Sequence, residues 1–200
     1  VHLELGKPYQ VESHEFNVTP TIGITLFPED GKAADTILQE ADSAMYKGKA
    51  DGRNTTKFFH PSMRAESQTR LGLERDLRTA AERDELSLYF QPQYDRDGRL
   101  FAAEALLRWN HPSRGFVPPD LFIPIAEESG LILQLRHWVF ATALDHLRRW
   151  ERNGELFIEH LAINVSSRQF RSSHFVTEAR REIVAAGVPA ERVVIEVTEG

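Results

Sequence analysis

The chain has no cysteine in its 200 residues, which excludes a disulfide framework, a thiolate zinc site and a thiol nucleophile. That absence fits a reducing compartment, and a cytoplasmic location is expected. No apolar run approaches the ~20 residues that cross a bilayer. No signal peptide opens the chain, so any membrane tether is expected upstream of Val1. Positive charge is not in excess either: 24 Lys and Arg stand against 30 Asp and Glu, a net charge of -6. That balance argues against a general grip on nucleic-acid backbone, and neither DNA nor RNA is expected as a partner. An anionic ligand stays compatible with it where a cation and a few arginines gather locally. Also missing are a histidine pair at i, i+4 for a helical zinc site, a nucleophile elbow, a P-loop and a dinucleotide fingerprint.

What is present describes a globular chain, 41% hydrophobic and 27% charged, long enough for one large or two small domains. Val1-His-Leu-Glu-Leu5 alternates and reads as a short strand, and residues 193–200 read as a strand with nothing after it. Both ends have the character of cut ends, so the chain is expected to be a fragment of a longer protein.

Residues 1–60 form a first unit. Strand character over 9–12 and 16–26 is followed by a turn at Pro28-Glu-Asp-Gly31. Ile37, Ala41, Ala44, Met45 and Gly48 then recur at helical spacing until Asp51-Gly52, and residues 55–59 return as a strand. His60-Pro61-Ser62 breaks the pattern. A charged helix over 67–83, with Leu73, Leu77, Ala80 and Ala81 on one side, makes 61–83 a connector.

From residue 84 to 200 strands and helices alternate. Residues 86–94 and 100–109 read as antiparallel strands joined across Asp95-Arg-Asp-Gly98. Pro118-Pro119-Asp120 opens a short helix through Glu128, and Leu131, Leu135, Val139, Ala143, Leu147 and Trp150 line a long one. A strand at 157–165, a helix marked by Phe175, Ala179 and Ile183, and a strand at 193–197 complete the pattern. Near-continuous apolar strands separated by helices predict an α/β fold with parallel pairing. At roughly half the ~250 residues of a (β/α)8 barrel, the segment predicts an incomplete barrel.

Four polar side chains interrupt those apolar strands. Alternation places Glu104, Leu106 and Arg108 on one face of their strand, with Ala103, Ala105, Leu107 and Trp109 on the other. An acid and a base on an inward face are costly unless they bind something or pair with each other, and both readings stand. Asn164 follows Leu161-Ala-Ile163 and taken alone reads first as a turn former or helix cap, a job that Ser166 and Ser167 also suit. Glu196 lies between Ile195 and Val197, where a carboxylate rarely lacks a partner, and Glu199 falls at the strand's exit. Oxygen donors from successive strand ends suit a hard divalent cation. His111, His137 and His146 read as surface or structural residues.

From about Ser67 to Gly200 the chain resembles the EAL family of cyclic di-GMP phosphodiesterases. The resemblance rests on Tyr89-Phe-Gln-Pro92, Glu104-Ala-Leu-Leu-Arg-Trp109, His111-Pro112, Phe122-Ile-Pro124, Gly130-Leu-Ile132, Asn164-Val-Ser166, Gln169-Phe170 and Glu196-Val-Thr-Glu199. Residues 1–59 resemble the tail of a GGDEF diguanylate cyclase domain through Val18-Thr-Pro-Thr-Ile-Gly-Ile24, Phe27-Pro-Glu-Asp-Gly31, Ala41-Asp-Ser-Ala-Met-Tyr46 and Gly52-Arg-Asn54. Lys49 and Arg53 match positions that contact nucleotide phosphates there.

The resemblance implies that Glu104, Asn164 and Glu196 hold Mg²⁺ or Mn²⁺, with Glu104, Glu196 and Glu199 in the catalytic set. It implies that Gln91, Leu107 and Arg108 bind the substrate, Arg108 on a phosphate oxygen. Cyclic di-GMP is the implied ligand, homodimerisation through the EAL domain the implied assembly, and an upstream sensory domain the implied context. The family's Asp-Asp pair, its lysine and a later glutamate would follow Gly200. The 200 residues alone are therefore expected to hydrolyse nothing, and the parent protein to cleave cyclic di-GMP to the linear dinucleotide. The alternative is a catalytically silent receptor for the same ligand.

Overall fold

The structure is a computed structural model, and it describes residues 1–27, 33–154 and 158–198. It divides into two compact units, Val1–Gly72 and Leu73–Gly200. Among the described residues no helix is long and apolar enough to cross a membrane.

The first unit begins with a helical turn, α1 (His2–Leu5), and a hairpin, β1 (Tyr9–Val11) with β2 (His14–Phe16). The strand expected at residues 1–5 is thus a helix, closed by Leu5 N–H on the Val1 carbonyl at 2.9 Å. Five alternating residues fit one turn of helix as well as a strand, and Leu3 is 87% exposed, so no packed face decides between them. The run at 16–26 also divides: Phe16 closes the hairpin, and Ile22–Ile24 forms β3 in another sheet. Pro20 lies in the gap, where a residue without an N–H cannot continue a ladder. The turn read at Pro28–Gly31 lies outside the described residues.

From β3 the chain crosses through α2 (Ala34–Ala50) to β4 (Thr56–Phe58), which pairs parallel with β3. Gly23 lets this helix and strand touch, because a Cβ there would sit 1.9 Å from the Ala41 carbonyl oxygen. The next helix, α3 (Pro61–Leu77), starts six residues before the expected position and ends six before it. Proline suits a first helical turn, where its missing N–H costs nothing, so His60-Pro61-Ser62 opens a helix instead of breaking one. Within the first unit α3 is tied down by Arg64 on buried Glu40, by Glu66 to Lys47 at 3.0 Å, and by Arg70 stacked 4.3 Å from the Tyr46 ring.

The second unit is built on β5 (Leu86–Tyr94), β6 (Leu100–His111), β7 (Gly115–Val117), β8 (His160–Ser166) and β9 (Val193–Thr198). Between them lie α4 (Pro119–Ser129), α5 (Ile132–Asn153), α6 (Ser167–Phe170) and α7 (Phe175–Ala186). The sheet order is β5-β6-β8-β9, with β7 hydrogen-bonded to β6. β5 runs antiparallel to β6, while β6, β8 and β9 are mutually parallel. This is an open α/β sheet, the incomplete barrel expected. Phe157, expected to begin β8, lies outside the described residues.

Helices cover one face of that sheet. Leu135, Val139, Ala143 and Leu147 recur every four residues along α5 and are all buried. The α5 residues from Val139 onward, with Phe175, Ala179 and Ile183 of α7, pack on Ala103, Ala105, Leu161, Ile163 and Val165. Each large apolar side chain buried there contributes about 1.5–3 kcal/mol. A second cluster joins Leu73 and Leu77 of α3 to Trp109, Phe122 and Ile125, and the Trp109 indole N–H donates to Glu85 at 3.0 Å. Alternation then leaves the other face of the same strands outside both clusters.

Candidate active site

Five of the polar residues singled out from sequence lie on that other face. β5 and β6 are in register with Gln91 opposite Glu104, and Ser87 opposite Arg108. On the far side of β6, Glu104 pairs with Ala162 of β8, which puts Asn164 one same-face step further on. Asn164 in turn lies directly opposite Glu196 of β9. None of the five belongs to either apolar cluster.

Glu104 and Asn164 touch: the amide Nδ2 donates to Glu104 Oε1 at 2.6 Å, and both residues are half-buried. Asn164 is therefore not a helix cap. That job belongs to Ser166, which starts α6 with a complete capping box. Ser166 Oγ accepts from the Gln169 backbone N–H at 3.4 Å, and Gln169 Oε1 accepts from the Ser166 N–H at 2.9 Å. The Gln169 amide then donates to the Ile132 carbonyl at 2.9 Å, so the exit of β8 is tied to the start of α5. Both side chains are buried. The pattern Ser166-x-x-Gln169 carried that signal in the sequence, but the partner carbonyl on α5 was not readable.

Glu104 does not make an internal ion pair with Arg108 among the described contacts. The Arg108 guanidinium turns back, with Nη1 donating to the Leu107 carbonyl at 3.0 Å and the cation 5.6 Å from the Tyr89 ring. Leu107 is placed apart from the group: it packs against both apolar clusters on the helix-covered face. Glu199 lies outside the described residues. His111, expected at the surface or in a structural role, is buried at the end of β6. Its Nδ1 accepts the Ser113 and Arg114 backbone N–H groups, and its Nε2 donates to Asp76 at 3.2 Å. It joins α3 to the sheet of its own unit.

Two carboxylates and an amide oxygen from neighbouring strands are hard ligands of the type that Mg²⁺ or Mn²⁺ takes. Because Asn164 spends its N–H on Glu104, its carbonyl oxygen is left for another contact, so the set fits. Among the described residues no three His, Cys, Asp or Glu side chains gather as a metal cluster, since one of the three donors here is an amide.

Residues 74–200 match the EAL domain family, and residues 2–55 match the family described as diguanylate cyclase, GGDEF domain. The chain is 38% identical over 98% of its length to the bifunctional diguanylate cyclase/cyclic di-GMP phosphodiesterase MucR of Pseudomonas aeruginosa, and covers 28% of that protein. It is 33% identical, again over 98%, to the cyclic di-GMP phosphodiesterase NbdA of the same organism, and covers 25% of it. The chain thus spans about a quarter of the length of these curated relatives. The solved structure of the PaMucR phosphodiesterase in complex with c-di-GMP superposes with a TM-score of 0.60 at 36% identity, covering 64% of this chain and 52% of that one. The chain belongs to the EAL domain family, its EAL segment preceded by a GGDEF segment.

Proposed function

We propose that the protein carrying this chain is a metal-dependent cyclic di-GMP phosphodiesterase, in which residues 74–200 supply part of the catalytic face. The observation that carries the reading is the hydrogen bond between Glu104 and Asn164, with Glu196 opposite Asn164 in the ladder, so that β6, β8 and β9 each carry an oxygen-bearing side chain on the face opposite the apolar cluster. Names and ligands of the relatives point the same way.

In this reading Glu104, Asn164 and Glu196 hold Mg²⁺ or Mn²⁺. Such an ion supplies Lewis acidity toward a phosphoryl oxygen and lowers the pKa of bound water. Arg108 offers its fork of donors to a phosphate oxygen, an arrangement for which guanidinium is suited. Gln91, opposite Glu104, lines the same face and orients the ligand. The family resemblance adds Glu199 to the catalytic set. Homodimerisation through the EAL segment, a cytoplasmic setting and a sensory domain ahead of the GGDEF segment complete the proposal, with 61–83 as the connector.

Turnover of cyclic di-GMP by the full-length protein with and without Mg²⁺, beside the Glu104→Ala variant, tests it. Metal-dependent conversion to the linear dinucleotide that the variant loses is the expected result. Equal turnover by the two removes Glu104 from the mechanism, and tight binding without turnover assigns the protein to the receptor class.

A further inference from the structure

The face that carries Glu104 also carries a large aromatic side chain, Tyr89, that lies outside both apolar clusters. Tyr89 lies two residues before Gln91 on β5 and faces Leu106 across the ladder, just as Gln91 faces Glu104. It therefore shares their face, displaced along β6 from Glu104 toward Arg108. Tyr89 is 59% exposed and belongs to neither apolar cluster. A cation lies over it: Arg108, with its guanidinium carbon 5.6 Å from the ring centroid. Arg108 holds that position while one of its nitrogens donates to the Leu107 carbonyl.

We propose that the Tyr89 ring and the Arg108 guanidinium form a planar platform on which one purine base of a dinucleotide diester stacks. The inference rests on the phosphodiester reading above and names a base-binding group for it. Stacking needs only a π face, and tyrosine supplies a large rigid one at little entropic cost. The arginine cation over the ring adds a cation–π contact to that stack. The same residue then serves both parts of the ligand, its flat face toward the base and its N–H edge toward the phosphate. A tyrosine acting only as a prop for Arg108 would put the burden on orientation of the diester and not on recognition of the base.

Steady-state kinetics of the full-length protein with cyclic di-GMP and Mg²⁺ separate the two. Tyr89→Leu removes the ring but keeps apolar bulk, Tyr89→Thr guards against misfolding of the first variant, and Tyr89→Phe keeps the ring. With a platform, Tyr89→Leu and Tyr89→Thr raise KM roughly tenfold or more, within the range for losing one base stack, while kcat falls by less than KM rises. Tyr89→Phe rescues KM. An unchanged KM in both non-aromatic variants, a loss confined to kcat, or failure of Tyr89→Phe to rescue overturns the platform. If the unaltered protein neither binds nor cleaves cyclic di-GMP, the phosphodiester reading itself fails; variant insensitivity in an active enzyme removes only the platform.

Discussion

Glu104 and Asn164 stand sixty positions apart in the chain and are joined by a 2.6 Å hydrogen bond, the amide donating to the carboxylate. The bond turns the Asn164 amide N–H toward Glu104, and in the proposed site its carbonyl oxygen is the atom offered to the cation.

Replacing Glu104 by Gln tests the charge separately from the shape. Glu104→Gln keeps an oxygen for the Asn164 amide and leaves the strand register intact. It removes one negative ligand, so the apparent Mg²⁺ affinity of the full-length protein is expected to fall at least about tenfold. Turnover measured across a Mg²⁺ titration reads this out, and an unchanged midpoint contradicts a ligand role.

The capping box after β8 is expected to matter for stability. Ser166→Ala removes the acceptor for the Gln169 N–H and should cost about 1 kcal/mol. Gln169→Ala leaves the Ser166 N–H and the Ile132 carbonyl without their partners in a buried place, which should cost about 1–3 kcal/mol. Urea unfolding of the two variants compares them, and Gln169→Ala is expected to be the weaker protein.

Acid should release the tie between Asp76 and His111. Hydrogen bonding from Arg75 and then from His111 holds the Asp76 carboxyl below the usual aspartate range, although burial works in the opposite direction. Because the folded-state value is depressed, the contribution is fully present above the unfolded-state value near ~3.9 and is lost as pH falls through the folded-state value. Asp76→Asn should therefore lower the unfolding midpoint at neutral pH, with the difference from the parent shrinking at lower pH. A difference that stays constant down to acid pH would show that the charge is not involved.

Gly23→Ala should damage the first unit. The added Cβ would lie 1.9 Å from the Ala41 carbonyl oxygen and 2.3 Å from the Met45 nitrogen, both backbone atoms that cannot turn aside. Forcing β3 and α2 apart should cost about 1–3 kcal/mol or more. Thermal unfolding is the check, and an unshifted midpoint would mean that the helix slides freely on the strand.

How far the fold could be read from the residues depended on element length and on packing. α5 and α7 were legible because an apolar repeat over three or more turns leaves one helical solution. β5 and β6 were legible from alternation over nine or more residues. Val1–Leu5 and the stretch around Phe16 were misread because three to five residues fit both periods, and nothing local says which neighbour will cover them. The start of α3 was misread because proline is a breaker inside a helix and a favourable residue in its first turn. The Ser166 cap was legible; that Gln169 also reaches Ile132 was not.

By itself the amino-acid order determined the α/β alternation, the family resemblance and the placing of Glu104, Asn164 and Glu196 at apolar strand positions where a polar side chain must have a partner. Tertiary structure alone decided that Asn164 turns to Glu104 instead of capping a helix, that Arg108 leaves Glu104 for Tyr89, and that Leu107 packs under the helices. The reason is that sequence spacing specifies which face of a strand a residue occupies, whereas strand register across the sheet decides which side chains meet. That register is set by the buried face, where Ala103, Ala105, Ile163 and Val165 pack beneath α5 and α7.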